Sequence, residues 1–157
     1  MIEKIISGGQ TGVDRAALDT AIKLGIPHGG WCPKNRMAED GTIPNKYLLK
    51  ETDSSDHAQR TRLNIEDSDG TLILVPSLPV KVTDGTVLTI TEVQKKQKPF
   101  LIIDLSQAIN FKNISTWIEK NKIKALNIAG PRESQKDGIY VQSCEVLEKI
   151  LRREQSV

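Results

Sequence analysis

The sequence predicts an α/β fold: a Rossmann-like three-layer sandwich with a mostly parallel sheet and helices on both faces. Short apolar runs, typical of buried strands, alternate along the 157 residues with longer segments whose apolar residues recur at helical spacing. Such alternation builds a parallel sheet covered on both sides by helices. The length fits one domain of ordinary size, so residues 1–157 are predicted to form a single ligand-binding domain.

The first strand ends at two glycines and is followed by a helix. The apolar run stops at Ile6, and apolar residues then recur at helical spacing until Gly25. Thr11 with Asp14 three residues later is the pattern of a capping box, which predicts a helix start near Gly12.

The middle of the chain contains a long segment without periodicity. Residues 26–31 predict a weak strand, and residues 31–44, with two prolines, predict an irregular loop. A helix is predicted over 56–67, capped by Ser54-Ser55, and 71–75 is the clearest buried strand.

The last third repeats the alternation. A helix is predicted over 86–97, strands over 100–105 and 125–129, and an amphipathic helix around 114–123 between those strands. The terminal helix carries one apolar face, formed by Val141, Cys144, Leu147, Ile150 and Leu151.

Composition argues against several classes of function. A formal net charge of +2 is too small to indicate nucleic acid or an anionic membrane, and no apolar run approaches the ~20 residues of a membrane span. Cys32 and Cys144 form no paired motif, and Met1–Lys4 leads directly into a strand without room for a signal peptide, so we expect a cytoplasmic protein. His28 and His57 lack the spacing of metal ligands.

The glycine-rich turn before the first helix predicts an anion site. The first turn of a helix exposes unpaired N–H groups and the positive end of the macrodipole. Gly8, Gly9 and Gly12 permit a close approach to these groups, an arrangement that favours phosphate. Thr11 can add a hydroxyl and Arg15 a charge-assisted hydrogen bond. A tight turn without any ligand would show the same pattern.

Asp14 opposes that prediction, because a carboxylate repels a phosphate. It would either bind an N–H donor of the ligand or only favour the helix N-terminus. In a parallel sheet, every loop that follows a strand opens at the same edge. We therefore expect the first glycine turn to meet a second turn at Gly85 and Thr86, and Arg132 after the last strand.

Further polar residues are candidates for ligand contact. Gln10 lies within the glycine turn, and Lys34 and Arg36 in the long loop could close over an anion. Arg60 and Asn64, four residues apart, share one face of a helix. The alternative for these residues is ordinary solvated surface.

Six segments carry more specific patterns: Ser7–Asp19, Gly30–Lys34, Ala38–Gly41, Arg60-Thr61 with Asn64, Asp67–Thr71 and Gly130–Ser134. In this order, over nearly the whole chain, they closely resemble the putative molybdenum carrier family. The resemblance implies a Rossmann-like fold related to the lysine-decarboxylase-like (LOG) proteins and the nucleotide-binding domain of the DNA-processing protein. It also implies a homo-oligomer that binds molybdenum cofactor (molybdopterin), a phosphorylated pterin with a dithiolene-bound molybdenum, for a molybdoenzyme acceptor.

One departure from the related LOG enzymes distinguishes a carrier from a hydrolase. The resemblance to those enzymes implies a glutamate three residues after the threonine of the second glycine turn, for glycosidic-bond cleavage. Here Asp84-Gly85-Thr86 is followed by Thr89 at that place, and Glu92 lies a helical turn further. This favours a carrier without catalytic residues.

Two alternatives remain open. One is a hydrolase or transferase acting on a nucleotide derivative through Glu39, Asp40 or Glu133. The other is a nucleotide sensor, which would bind a nucleotide without preference for a pterin.

Overall fold

The structure is a computed structural model that describes residues 1–81 and 85–156. Its strands are β1 (Lys4–Ile6), β2 (His28–Gly29), β3 (Trp31–Cys32), β4 (Met37–Ala38), β5 (Gly41–Thr42), β6 (Lys50–Glu51), β7 (Gly70–Val75), β8 (Phe100–Asp104) and β9 (Ala125–Ala129). Its α-helices are α1 (Val13–Leu24), α2 (His57–Glu66), α3 (Gly85–Lys95), α4 (Phe111–Lys120) and α5 (Ile139–Gln155). The strands and helices predicted from the apolar pattern are present, shifted by a few residues at their ends.

Five of these strands form a parallel sheet in the order β2-β1-β9-β7-β8. If the strands are renumbered 1 to 5 in the order β7, β8, β9, β1 and β2, their order across the sheet from β8 to β2 is 2-1-3-4-5. This is the flavodoxin-like doubly wound order. In such sheets the ligand crevice lies outside the carboxyl ends of the strands, where the strand order reverses. Here that point lies between β7 and β9.

The two faces of the sheet are buried by different helices, which confirms the three-layer prediction. Leu72 and Ile128 pack in one core cluster with apolar residues of α1, α4 and α5. Ile73, the neighbour of Leu72 on β7, packs on the other face with Ile65 of α2 and Val93 of α3. Side chains alternate along each strand, so every second residue faces the opposite helix layer.

The segment predicted as an irregular loop over residues 31–44 has more structure than expected. A 3₁₀ turn (Lys34–Arg36) precedes the β4–β5 hairpin, and β3 pairs with β6. The guanidinium of Arg36 donates to the backbone carbonyls of Ile43, Pro44, Tyr47 and Leu49. These tertiary contacts, rather than local periodicity, order the segment.

Three local predictions differ from the structure. No side chain caps α1, because its N-cap is Gly12 and the Asp14 carboxylate accepts from the Gln10 amide instead. The cap of α2 is Asp56, which accepts from the Ala58 amide, rather than Ser54-Ser55. Val141 is 61% exposed, because it lies on the outer side of α5.

The loop after β1 and the loop after β9 touch through their backbones. Gly12 has φ +78°, and a Cβ built on it would lie 2.4 Å from the Pro131 carbonyl oxygen and 2.8 Å from the Glu133 nitrogen. The Val13 amide also donates to that carbonyl at 3.2 Å. A side chain at Gly12 would force the two loops apart.

Among the described residues, no helix is both long and apolar enough to cross a membrane.

Replacing Gly12 by alanine is therefore expected to lower the free energy of unfolding by about 3 kcal/mol or more, through backbone strain and a clash. Gly25→Ala is the matched control: Gly25 has φ +69° but open space around its Cβ position, so only about 1–2 kcal/mol of conformational strain is expected. Urea unfolding of both variants tests the difference. Equal losses of unfolding free energy in the two variants would show that the loops after β1 and β9 can move apart without an energetic penalty.

Candidate functional site

A cavity of about 330 Å³ lies at the carboxyl edge of the sheet, between the loop after β1, β9, α2 and the start of α3. Its volume is at the lower end of the range of small-molecule sites. Eight sequence candidates line it: Gly8, Gln10, Asp14, Arg60, Asn64, Gly85, Thr86 and Arg132. The structure therefore brings the two glycine turns and the residue after the last strand to one place. Asp84 of the second turn lies outside the described residues.

Arg60 is the cation that lies deepest in this cavity. Its side chain is 13% exposed, and its Nη1 donates to Asp14 Oδ2 at 3.1 Å. A Cβ built on Gly8 would lie 2.0 Å from that Nη1, so the guanidinium lies directly on the glycine backbone. Among the residues that the structure describes, Asp14 is the one hydrogen-bond acceptor of Arg60. The remaining N–H groups of the guanidinium are therefore available to an anion in the cavity.

The Asp14 carboxylate faces protein donors as well as the cavity. Its Oδ2 accepts from the Gln10 amide at 3.2 Å in addition to Arg60. Burial raises the pKa of Asp14 above its ordinary value of 3.8, although Arg60 and the Gln10 amide act in the opposite direction. Asp14 thus holds the glycine loop and orients Arg60.

The amides of the glycine loop divide into two groups. Those of Gln10, Thr11 and Arg15 donate within the loop, to the Asp14 carboxylate, the Gln10 side chain and the Gln10 carbonyl. Those of Gly8, Gly9 and Gly12 have no acceptor within residues 1–81 and 85–156. Some amides of the predicted phosphate site are therefore already bonded within the protein. The part of the site that lines the cavity lies at Gly8, next to Arg60.

Two predicted site residues bind protein groups at the rim of the glycine loop. The Thr11 hydroxyl donates to the Glu39 carboxylate and accepts from the Glu133 amide. Arg15 donates from Nε to the Gly9 carbonyl at 2.8 Å and forms a two-point ion pair with Asp40 at 2.8 and 2.9 Å. These contacts fasten the tip of the β4–β5 hairpin to the loop.

Lys34 and Arg36 are not brought to the cavity. Arg36 is used by the carbonyls of the segment that follows it, and Lys34 is exposed in the 3₁₀ turn. Neither belongs to the cavity lining among the described residues. The reason is that the hairpin tip, Glu39 and Asp40, is the part of this segment that binds the glycine loop, whereas the Arg36 guanidinium is held by carbonyls of its own segment.

Asn64 lines the cavity, and its side chain also joins α2 to β3. Its Oδ1 accepts from the Trp31 amide at 2.7 Å and its Nδ2 donates to the Trp31 carbonyl at 3.0 Å. Both ends of the amide therefore fix β3 against α2. This use of the side chain could not be read from its helical spacing to Arg60.

His57 also lines the cavity, although its sequence position suggested no role beyond metal binding, for which the spacing is wrong. It begins α2 three residues before Arg60, so helical spacing places the two on one face. Burial lowers the pKa of His57, and the positive charges of Arg60 and Arg132 lower it further. The imidazole is therefore neutral near pH 7 and can both donate and accept hydrogen bonds.

The carboxylates of the hydrolase alternative have protein partners. Glu133 accepts from the amides of Gly138 and Tyr140, and Asp40 is paired with Arg15. Glu92 is buried and paired with Arg62 at 3.3 Å between α2 and α3. Thr89, which the resemblance aligns with the glutamate of LOG enzymes, lines the cavity. In the described part of the chain, no three His, Cys, Asp or Glu residues are grouped to hold a metal ion.

The chain is similar to known proteins over nearly its whole length. The model of the "Circularly permutated YpsA SLOG family" matches residues 5–151. A solved structure, that of a "Putative molybdenum carrier protein" from Syntrophus aciditrophicus SB, is 47% identical, covers 96% of this chain and 95% of its own, and has a TM-score of 0.88. No curated protein matches the chain.

The raised pKa of Asp14 makes a prediction about stability. The folded protein holds this proton more tightly than the unfolded chain, so Asp14 makes the free energy of unfolding fall as pH rises from 3.8 through the raised value. Asp14→Asn removes this contribution. We expect the stability of the variant relative to the wild type to increase with pH inside that interval and to be constant above it.

Urea unfolding of both proteins at a series of pH values between about 3.5 and 7 measures this difference. A difference that decreases with rising pH would mean that the ion pair with Arg60 outweighs burial.

Proposed function

Because this chain belongs to the circularly permutated YpsA SLOG family, we propose that it binds and carries a small phosphorylated ligand, molybdenum cofactor or a similar phosphorylated pterin. The observation that carries the proposal is Arg60, held on the Gly8 backbone with free donors facing a cavity at the sheet edge. The 47% identical protein is described as a molybdenum carrier, which supports the choice of ligand.

The residues present fit the phosphate and the pterin of that cofactor. The phosphate would lie at the Gly8 amide and Arg60, near the start of α3 at Gly85 and Thr86, with Arg132 at the rim. A guanidinium, exposed amides and a helix start are the usual phosphate partners.

The pterin ring and the molybdenum of the cofactor would need different protein groups. The edge of a pterin ring carries both hydrogen-bond donors and hydrogen-bond acceptors. His57 and Thr89 can pair with either, because each side chain can donate and accept. The described residues of the cavity lining include no cysteine, so the cofactor's own dithiolene would hold the molybdenum. The site would thus recognise the organic part of the cofactor.

Binding without turnover is the simplest use of this arrangement. A general acid or base must reach the substrate with a free, suitably titrating group. Among the residues that the structure describes, Asp14 is the one carboxylate that lines the cavity, and it is bound by the Gln10 amide and Arg60. A homo-oligomer, a cytoplasmic location and a molybdoenzyme acceptor belong to the same proposal. The family resemblance implies the homo-oligomer, and the two cysteines without a paired motif favour the cytoplasm.

Native mass spectrometry of the purified protein tests the ligand. A retained phosphorylated pterin is the expected result. Arg60→Gln is expected to weaken its binding about 10- to 100-fold, because one or two charge-assisted hydrogen bonds are lost. Arg62→Gln is the matched control: it removes a cation two residues away on the same helix, but one paired with Glu92 rather than lining the cavity. Equal losses in both variants would contradict the proposed site, and a retained nucleotide would favour a sensor.

The hydrolase alternative has its own test. We expect the purified protein to leave nucleoside monophosphates intact over hours, as followed by chromatography of the products. Turnover that disappears in Glu133→Gln or in Asp40→Asn would replace the carrier proposal with an enzymatic one.

A further inference from the structure

The tip of the β4–β5 hairpin places a carboxylate between the loop after β1 and the loop after β9. Glu39 accepts from the Thr11 hydroxyl, from the Ser134 hydroxyl and, at 3.1 Å, from the Ser134 amide. The Arg132 Nε lies 3.5 Å from Glu39 Oε2, the oxygen that accepts from the Ser134 hydroxyl. Hydroxyls, an amide and a guanidinium from two different loops thus surround one carboxylate.

These groups are all donors to an oxyanion, and none of them belongs to the hairpin. Charge-assisted hydrogen bonds of this kind are the contacts that proteins use for phosphate and carboxylate groups. Arg132 also lines the cavity that holds Arg60. The carboxylate therefore sits in an anion-binding position that is continuous with the cavity wall.

The hairpin that carries Glu39 is held at its tip by polar contacts. Met37, Gly41 and Thr42 are exposed. Besides the Glu39 carboxylate, its tip is held by the Glu39 amide, which donates to Gln10 Oε1 at 2.9 Å, and by the Asp40–Arg15 pair, whose carboxylate is 49% exposed. Among the described residues, β4 and β5 pair only with each other, so the tip can exchange these polar contacts for others without breaking the five-stranded sheet.

We propose that Thr11, Ser134 and Arg132 form an oxyanion subsite next to the cavity, which Glu39 fills until a second acidic group of the ligand displaces it. The inference rests on the proposed function and narrows the ligand class. The ligand carries one phosphate, bound at Arg60, and a further oxyanion, bound at Arg132. The hairpin tip moves aside when that group enters.

Isothermal titration with inorganic phosphate tests the subsite. Glu39→Gln removes the competing charge and is expected to bind a second phosphate about tenfold or more tightly than the wild type does, the equivalent of the freed charge-assisted hydrogen bonds. The gain is expected to persist in Glu39→Gln/Arg60→Gln, because Arg60 is not part of the subsite. It is expected to vanish in Glu39→Gln/Ser134→Ala, which lacks one of the donors.

Glu51→Gln is the charge-matched control. Glu51 lies in the same segment of the chain, but its carboxylate accepts from the Asn35 amide and touches none of the subsite residues. The inference is overturned if Glu39→Gln binds phosphate as the wild type does, if Glu51→Gln shows the same gain, or if the gain survives Ser134→Ala.

A measurement on the wild type covers the case in which Glu39→Gln does not fold. Excess phosphate is expected to speed hydrogen exchange of the Glu39 amide, while that of the Trp31 amide, held by Asn64, stays unchanged. Unchanged exchange at both amides would overturn the inference. If these tests fail but the wild type still binds its ligand in a way that depends on Arg60, the subsite is excluded and the proposed function stands. The two proposals can therefore be distinguished.

Discussion

The ion pair between Asp14 and Arg60 joins the two helix layers of this protein at its cavity. Asp14 lies on α1, which packs on one face of the sheet, and Arg60 lies on α2, which packs on the other. A buried ion pair gains little net stability, because the loss of hydration offsets most of the attraction. Its contribution here is positional: it places a guanidinium on the backbone of Gly8, where a side chain would collide with it.

Other cations around the site are paired with carboxylates in the same way. Arg15 holds Asp40, and Arg132 holds Glu39, and both acidic residues come from the tip of one hairpin. The site is thus close to charge balance without a ligand. A ligand anion would exchange partners with these carboxylates rather than meet an unopposed positive field, which favours selectivity over affinity.

Strand order explains why the glycine turn at the start of the chain serves the cavity. When the strands are counted from β7, the chain enters the doubly wound sheet at its fourth strand, and β1 lies directly beside β9. The loops after these two neighbours meet through the Gly12 backbone, and the cavity opens beside them. A ligand site at the sheet edge depends on which strands are adjacent, and the starting point of the chain does not change that.

The α/β layers, the strands and helices, and the meeting of the two glycine turns with Arg132 could all be predicted from the sequence. Apolar periodicity is a local property, and loops that follow parallel strands always open at one edge of the sheet. Which cations face the cavity depends instead on tertiary contacts. Lys34, Arg36 and Arg60 look alike in sequence, yet Arg36 is consumed by backbone carbonyls, Lys34 remains outside, and Arg60 is aimed by a partner 46 residues away. Long side chains follow their hydrogen-bond partners, and partners distant in sequence leave no trace in local pattern.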